Sequence, residues 1–160
     1  MVKRVLGSCF VLLLLVALVA PAAASAKKKQ KIYHLNGTVA GGGTIIFDEK
    51  VKKQGGEWVP KRVANFDFDE VPITCDSGSF THSRSTGTDR APFPVQDGLF
   101  SFQFLESPTS VEGSLTHRGK QAAGTYEALP DALDGETNCF TPKLNWSAQK
   151  TGTHNKLPRR

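Results

Sequence analysis

Residues 110–128 read S-V-E-G-S-L-T-H-R-G-K-Q-A-A-G-T-Y-E-A, and the way this stretch folds back on itself decides the fold class. The pair Arg118-Gly119 suits a two-residue hairpin loop. Folding about it sets Leu115 opposite Ala122, Gly113 opposite Gly124 and Val111 opposite Tyr126. Side chains alternate along a strand, so these six share one face. Two glycines facing each other leave a gap that another sheet, or else a ligand, must fill.

The same reading extends in both directions. Asp97-Gly98 is a strong turn pair, and a hairpin about it places Val95 opposite Phe100 and Phe93 opposite Phe102. Phe100, Phe102 and Phe104 alternate and form one aromatic core row. Further upstream, folding about Gly55-Gly56 sets Val51 against Pro60, Phe47 against Ala64 and Ile45 against Phe66, with Glu49 against Arg62 as a cross-strand ion pair. A bulge would shift the far end of that register. Val71 to Cys75 reads as a short strand whose proline favours an edge or a strand start. A weak strand is expected around Phe80, then an exposed loop. Downstream, Leu129 to Thr137 reads as an acidic, proline-containing loop, and Leu144, Trp146 and Ala148 alternate in a last strand.

Strand patterns with turn signals recur, and no long segment has a 3.6-residue apolar period, so the class is all-β. An amphipathic sheet here has only another sheet to cover it. The expected architecture is an antiparallel β-sandwich of about nine strands, jelly-roll or Ig-like. A small closed barrel is the alternative.

The ends read differently. Lys3 and Arg4 precede an apolar run, Val11 to Ala20, too short to span a bilayer. Ala24-Ser25-Ala26 supplies the small-x-small pattern of a signal cleavage site. Residues 1–26 are thus expected to be a signal peptide and the mature chain a secreted one. Cys9 precedes the apolar run, where no lipid attachment is expected, so no membrane anchor should remain. Residues 27–31 form a basic tail, 32–150 the β-domain and 151–160 a disordered tail. The length suits a single domain, expected to be monomeric.

The chain carries 20 Lys and Arg against 15 Asp and Glu, a net charge of +5, with much of the excess near the ends. Such runs are ordinarily solvated, though they would also attract an anionic envelope polymer in a salt-sensitive way. With few interior basic clusters, nucleic acid is not an expected partner. Beyond the signal, Cys75 and Cys139 remain, and export makes a disulfide between them the expectation.

Several strand motifs stand in order: Asn65-Phe66-x-Phe68, Ile73-x-Cys75-x-Ser77-Gly78, Phe100-Ser101-Phe102, Val111-x-Gly113-x-Leu115 and Ala123-Gly124-Thr125-Tyr126. Cys139 and then Trp146-Ser147-Ala148 complete them. Over about residues 33–149 this pattern resembles a family of small exported, largely uncharacterised β-sandwich proteins of high-GC Gram-positive bacteria. The resemblance implies export and a sandwich fold, and carries over no active site.

The chemistry-bearing residues give no catalytic motif. Asp67 and Asp69 share a strand face beside Glu70, and with His82 they would make a small hydrolase or lyase. Carboxylates alternating with core aromatics are more simply solvent-facing strand residues. Asp131, Asp134 and Glu136 offer oxygen ligands for Ca²⁺, without EF-hand spacing. His34, His82, His117 and His154 form no metal-binding pair, and no G-x-S-x-G elbow occurs. Trp58, beside the Gly55-Gly56 turn, is the candidate platform for a sugar ring, with Tyr33 and Tyr126 as helpers; the simpler reading of Trp58 is a cap on the core. Non-catalytic binding of an envelope polysaccharide or other glycan is the leading expectation, with no cofactor. A structural or protein-interaction domain comes second and an enzyme third.

Overall fold

The computed structural model describes residues 29–86, 91–104, 108–133 and 135–154. The expected signal segment and residues 155–160 of the expected tail lie outside these. Nine strands follow in order: β1 (Gln30–Val39), β2 (Thr44–Gln54), β3 (Glu57–Cys75), β4 (Gly78–Ser85), β5 (Phe93–Pro94), β6 (Leu99–Gln103), β7 (Thr109–Thr116), β8 (Gln121–Leu133) and β9 (Glu136–His154). They form one antiparallel sheet in the order β4-β3-β2-β1-β9-β8-β7-β6, with β5 also paired to β3.

The sheet curls around one main core. Three strands separate β3 from β8 along the sheet, yet the rings of Phe68 and Tyr126 lie 4.5 Å apart. Five separate β3 from β6, yet Phe66 and Phe102 lie 4.7 Å apart. At the remaining seam Phe93 of β5 stacks on Phe102 of β6 at 4.0 Å, and Gln96 bridges Leu99 across the Asp97-Gly98 turn. The layers that face each other are thus halves of one all-β sheet. Successive strands pair as neighbours from β1 to β4 and from β6 to β9, and β1 joins β9. The connectivity is a meander, without the Greek-key return typical of jelly-roll and Ig-like sandwiches.

The hairpin over residues 110–128 has the expected register: Val111 faces Tyr126, Gly113 faces Gly124 and Leu115 faces Ala122. Its loop is longer than two residues, because Thr116 pairs with Gln121 and His117–Gly119 form a short 3₁₀ turn. Arg118 and Gly119 both take positive φ there. The glycine gap is filled from within. Phe100, Gly113, Gly124 and Trp146 lie in one row across β6, β7, β8 and β9, so one ring leans in from each end over the two glycines. A Cβ on Gly124 would run into the Glu112 carbonyl oxygen and stand 2.6 Å from the Trp146 ring, and one on Gly113 would run into the Phe100 ring. Gly124→Ala is therefore expected to cost about 3 kcal/mol or more, because backbone must move as well as a ring, read as a lower urea midpoint with an unchanged slope.

The Gly55-Gly56 hairpin pairs as expected near its turn, with Val51 on Pro60 and Gln54 on Glu57. Bulges between Lys50 and Val51 and between Ile46 and Asp48 then shift it, so that Ile45 meets Phe68. The expected Glu49–Arg62 ion pair does not form: Arg62 pairs with Lys50, and Glu49 stands opposite Val63 with its side chain fully buried.

Two further expectations are corrected. The segment from Leu129 to Thr137 is mostly strand, since β8 and β9 run on to a turn at Gly135, and Leu133 pairs with Glu136. At the other end, β9 continues past residue 150 to His154, which pairs with Ile32. Pairing between β8 and β9 orders the first segment, and pairing with β1, whose first residue is Gln30, orders the second.

Where β3 and β9 meet, Cys75 and Cys139 form the expected disulfide. Thr74 pairs with Phe140 beside it, and Ile73 packs with the two half-cystines in a small second core. The Asp76 carboxylate accepts from Thr137 Oγ1 at 2.9 Å and Asn138 Nδ2 at 2.8 Å. This end is thus fastened by a covalent bond and by polar contacts across two hairpin tips.

Candidate functional site

An open groove of about 710 Å³ lies on the outer face of β6, β7 and β8. Strand alternation builds it. Leu99, Ser114 and Ala123 form one outward cross-strand row, and Ser101, Glu112 and Thr125 form the next. Between them runs the inward Phe100–Gly113–Gly124–Trp146 row, so the floor there is glycine backbone. Small and hydroxyl-bearing side chains keep the floor low, and Pro94, Gln96 and Asp97 from the β5–β6 turn add a wall. Leu99 is 60 % exposed and offers an apolar platform beside two carboxylates. Glu112 lies 3.7 Å from Lys143 in an exposed ion pair. The outward small residues flanking the two glycines were a sequence signal for this surface, one that a search for aromatic platforms passes over.

The aromatic residues expected to bind a ligand sit elsewhere. Trp58 is half-buried against the core, with the Lys31 ammonium 4.6 Å above its ring. Tyr33 is buried, with Lys150 4.6 Å from its ring centroid. Tyr126 is fully buried. Strand register turns both tyrosines inward, so neither presents a ring face to a sugar, and the three do not converge.

The acidic groups are also dispersed. Asp131 pairs with Cys139 in the β8–β9 ladder, Asp134 lies outside the described residues, and Glu136 accepts a hydrogen bond from Ser77. Among the described residues no three His, Cys, Asp or Glu side chains gather as a metal site. Asp69 is exposed and accepts from the Ser83 hydroxyl, whereas His82 on β4 is buried. Alternation places Asp67 and Asp69 away from the core that receives His82, so the Asp67, Asp69 and His82 set is not brought together.

Three buried polar arrangements were not legible as such. Asp48 is buried and held by His34 Nδ1 at 3.0 Å and by Asn65 Nδ2, which donates at 2.8 Å. Glu49 is fully buried and neither carboxyl oxygen has a hydrogen-bond partner. Burial alone pushes its acid from the ordinary 4.5 up to about 8, and Glu49 in turn adds to the burial that raises Tyr33. The turn at Gly119 seals this group: a Cβ there would stand 2.7 Å from the Glu49 carboxyl carbon. The third is His82, whose Nε2 lies 3.2 Å from the Tyr126 hydroxyl. Burial, with the Arg84 cation second, lowers His82 to about 4. Burial raises Tyr126 to about 12, against smaller opposing effects of Arg84 and of a hydrogen bond from Thr109.

Among the described residues no helix is long and apolar enough to cross a membrane. Comparison with protein-family models, with curated proteins and with solved structures finds no match to this chain.

Proposed function

We propose that the chain is an exported, non-catalytic binding module whose outer groove takes a glycan of the cell envelope. The observation that carries this is the groove itself. It is open, and it sets hydroxyls, an amide and two carboxylates around an exposed Leu99. Sugars are bound by that combination, with polar groups meeting ring hydroxyls and an apolar surface meeting C–H faces. Export is supported by the signal-like first 26 residues and by a disulfide, which suits an oxidising compartment.

The test is co-sedimentation of the purified protein with isolated cell envelopes at low and high salt. Ala123 is exposed on the groove floor, so Ala123→Arg fills the groove without touching the core. Binding by the wild-type protein should survive high salt and fall about tenfold or more in the variant. Equal binding by both, or binding that salt removes, sinks the reading. A protein-interaction domain is the second reading, favoured by three exposed large apolar side chains, Phe80, Leu129 and Phe140.

A further inference from the structure

The inner face of β4 lies apart from the outer groove and carries two buried nitrogens without a hydrogen-bond partner among the described residues. Along β4 the side chains alternate, and His82 and Arg84 share the inward face. His82 is only 7 % exposed, and its Nδ1 has no hydrogen-bond partner. Arg84 is half-buried, and its Nε is sealed from solvent and likewise without a partner. Among the described residues no carboxylate forms an ion pair with Arg84.

Hydrogen bonding sets the polarity of this cluster. Thr109 is hydrogen-bonded to the Tyr126 hydroxyl, which lies 3.2 Å from His82 Nε2, where either group can donate. When the hydroxyl donates to Nε2, the ring proton sits on Nδ1, which is then an orphan donor. An unmade bond at a buried donor costs more than a made one contributes. In that tautomer both orphans are donors, and one belongs to a cation. Water would satisfy the N–H groups but not the charge, whereas an oxyanion satisfies both.

We propose that the inward face of β4 is a binding site for a small oxyanion, a carboxylate or phosphate group, held between the Arg84 guanidinium and the His82 Nδ1–H. The half-exposed guanidinium provides its approach from solvent. Among the described residues the titratable and charged groups facing the site are Arg84 and His82 on β4 and Tyr126 on β8. This goes beyond the glycan reading, since it uses neither the groove nor any residue of β6.

The test follows the His82 ring signals by NMR at constant ionic strength, adding inorganic phosphate in one series and acetate in another, with chloride as reference. A saturable shift is expected, together with a higher His82 titration midpoint, because the anion offsets the Arg84 charge. Saturation by one anion alone assigns the geometry as tetrahedral or planar. Arg84→Gln should weaken binding about tenfold or more. Lys120→Gln, an exposed charge elsewhere, should leave binding unchanged. Arg84→Lys keeps the charge but loses the planar fork, and tests the site should the glutamine variant fail to fold. Its expected behaviour is a retained rise in the His82 midpoint with weaker affinity. Ring signals that respond to neither anion, or that respond equally in the Arg84 variants, overturn the proposal and leave water as what satisfies the two donors.

Discussion

Replacing both Cys75 and Cys139 by alanine is expected to lower the stability of the protein by about 4 kcal/mol. The two residues are 64 positions apart, so the bridge removes a large loop from the conformations open to the unfolded chain. Equilibrium unfolding in guanidinium chloride reads the loss as a fall in midpoint. The slope should rise, because an uncrosslinked unfolded chain exposes more surface. The loss should be felt first where the bridge sits. Ile73 packs with the two half-cystines, and the single Thr74–Phe140 pairing between β3 and β9 lies beside them. Amide exchange near Asp76 and Thr137, whose backbones are hydrogen-bonded at 3.1 Å, should accelerate before that of the main core. A double variant as stable as the wild-type protein would show that hairpin-tip hydrogen bonds alone hold this end.

Glu49→Gln is expected to stabilise the protein by about 3 kcal/mol at neutral pH. The sign follows from the proton balance. Glu49 ionises near 8 in the folded state against an ordinary value of 4.5, so above 4.5 the unfolded state binds fewer protons than the folded one. Its contribution is therefore most favourable below pH 4.5 and is lost progressively as pH rises to about 8. His82 works in the opposite direction. It ionises near 4 when folded against 6.5 when unfolded, so its contribution is present above 6.5 and is lost as pH falls to about 4. Together these two groups nearly cancel between about pH 4.5 and 6.5. Above 6.5 only Glu49 acts, and stability should fall by about 2 kcal/mol by pH 8. In Glu49→Gln the fall above 6.5 should vanish, leaving the His82 rise between about 4 and 6.5. Urea midpoints across this range check it. A variant that keeps the fall above 6.5 would show that another group causes it, and a wild-type protein without the fall would mean that Glu49 finds solvent or a partner through movement of the Gly119 turn.

The surface groove and the buried groups differ in how far the chain alone announces them. Periodicity of two, with Asp97-Gly98, Gly55-Gly56 and Arg118-Gly119 as turns, determined the all-β class and the register of the 110–128 hairpin. Turn chemistry and alternation are local, and local patterns survive into the folded state where no bulge intervenes. Glu49 illustrates the limit. It shares a strand face with Ile45, Phe47 and Val51, which points it inward, but its partner depended on a bulge after Lys50 that no local pattern marks. The roles of Tyr33 and Tyr126 were lost for a related reason. Alternation gives the side of a strand, and only closure of the sheet says which side is the interior.

By itself, then, the sequence determined most strands, most turns and the half-cystine pair, because each rests on neighbouring residues or on a count. The tertiary structure alone decided that one sheet curls until β3 reaches β6 and β8. It also placed two rings over Gly113 and Gly124, and sealed Glu49 beneath Gly119. It set His82 against Tyr126 with Arg84 two residues along β4. These depend on contacts between residues far apart in the chain, where packing and the cost of burying polar groups, rather than local preference, choose the arrangement.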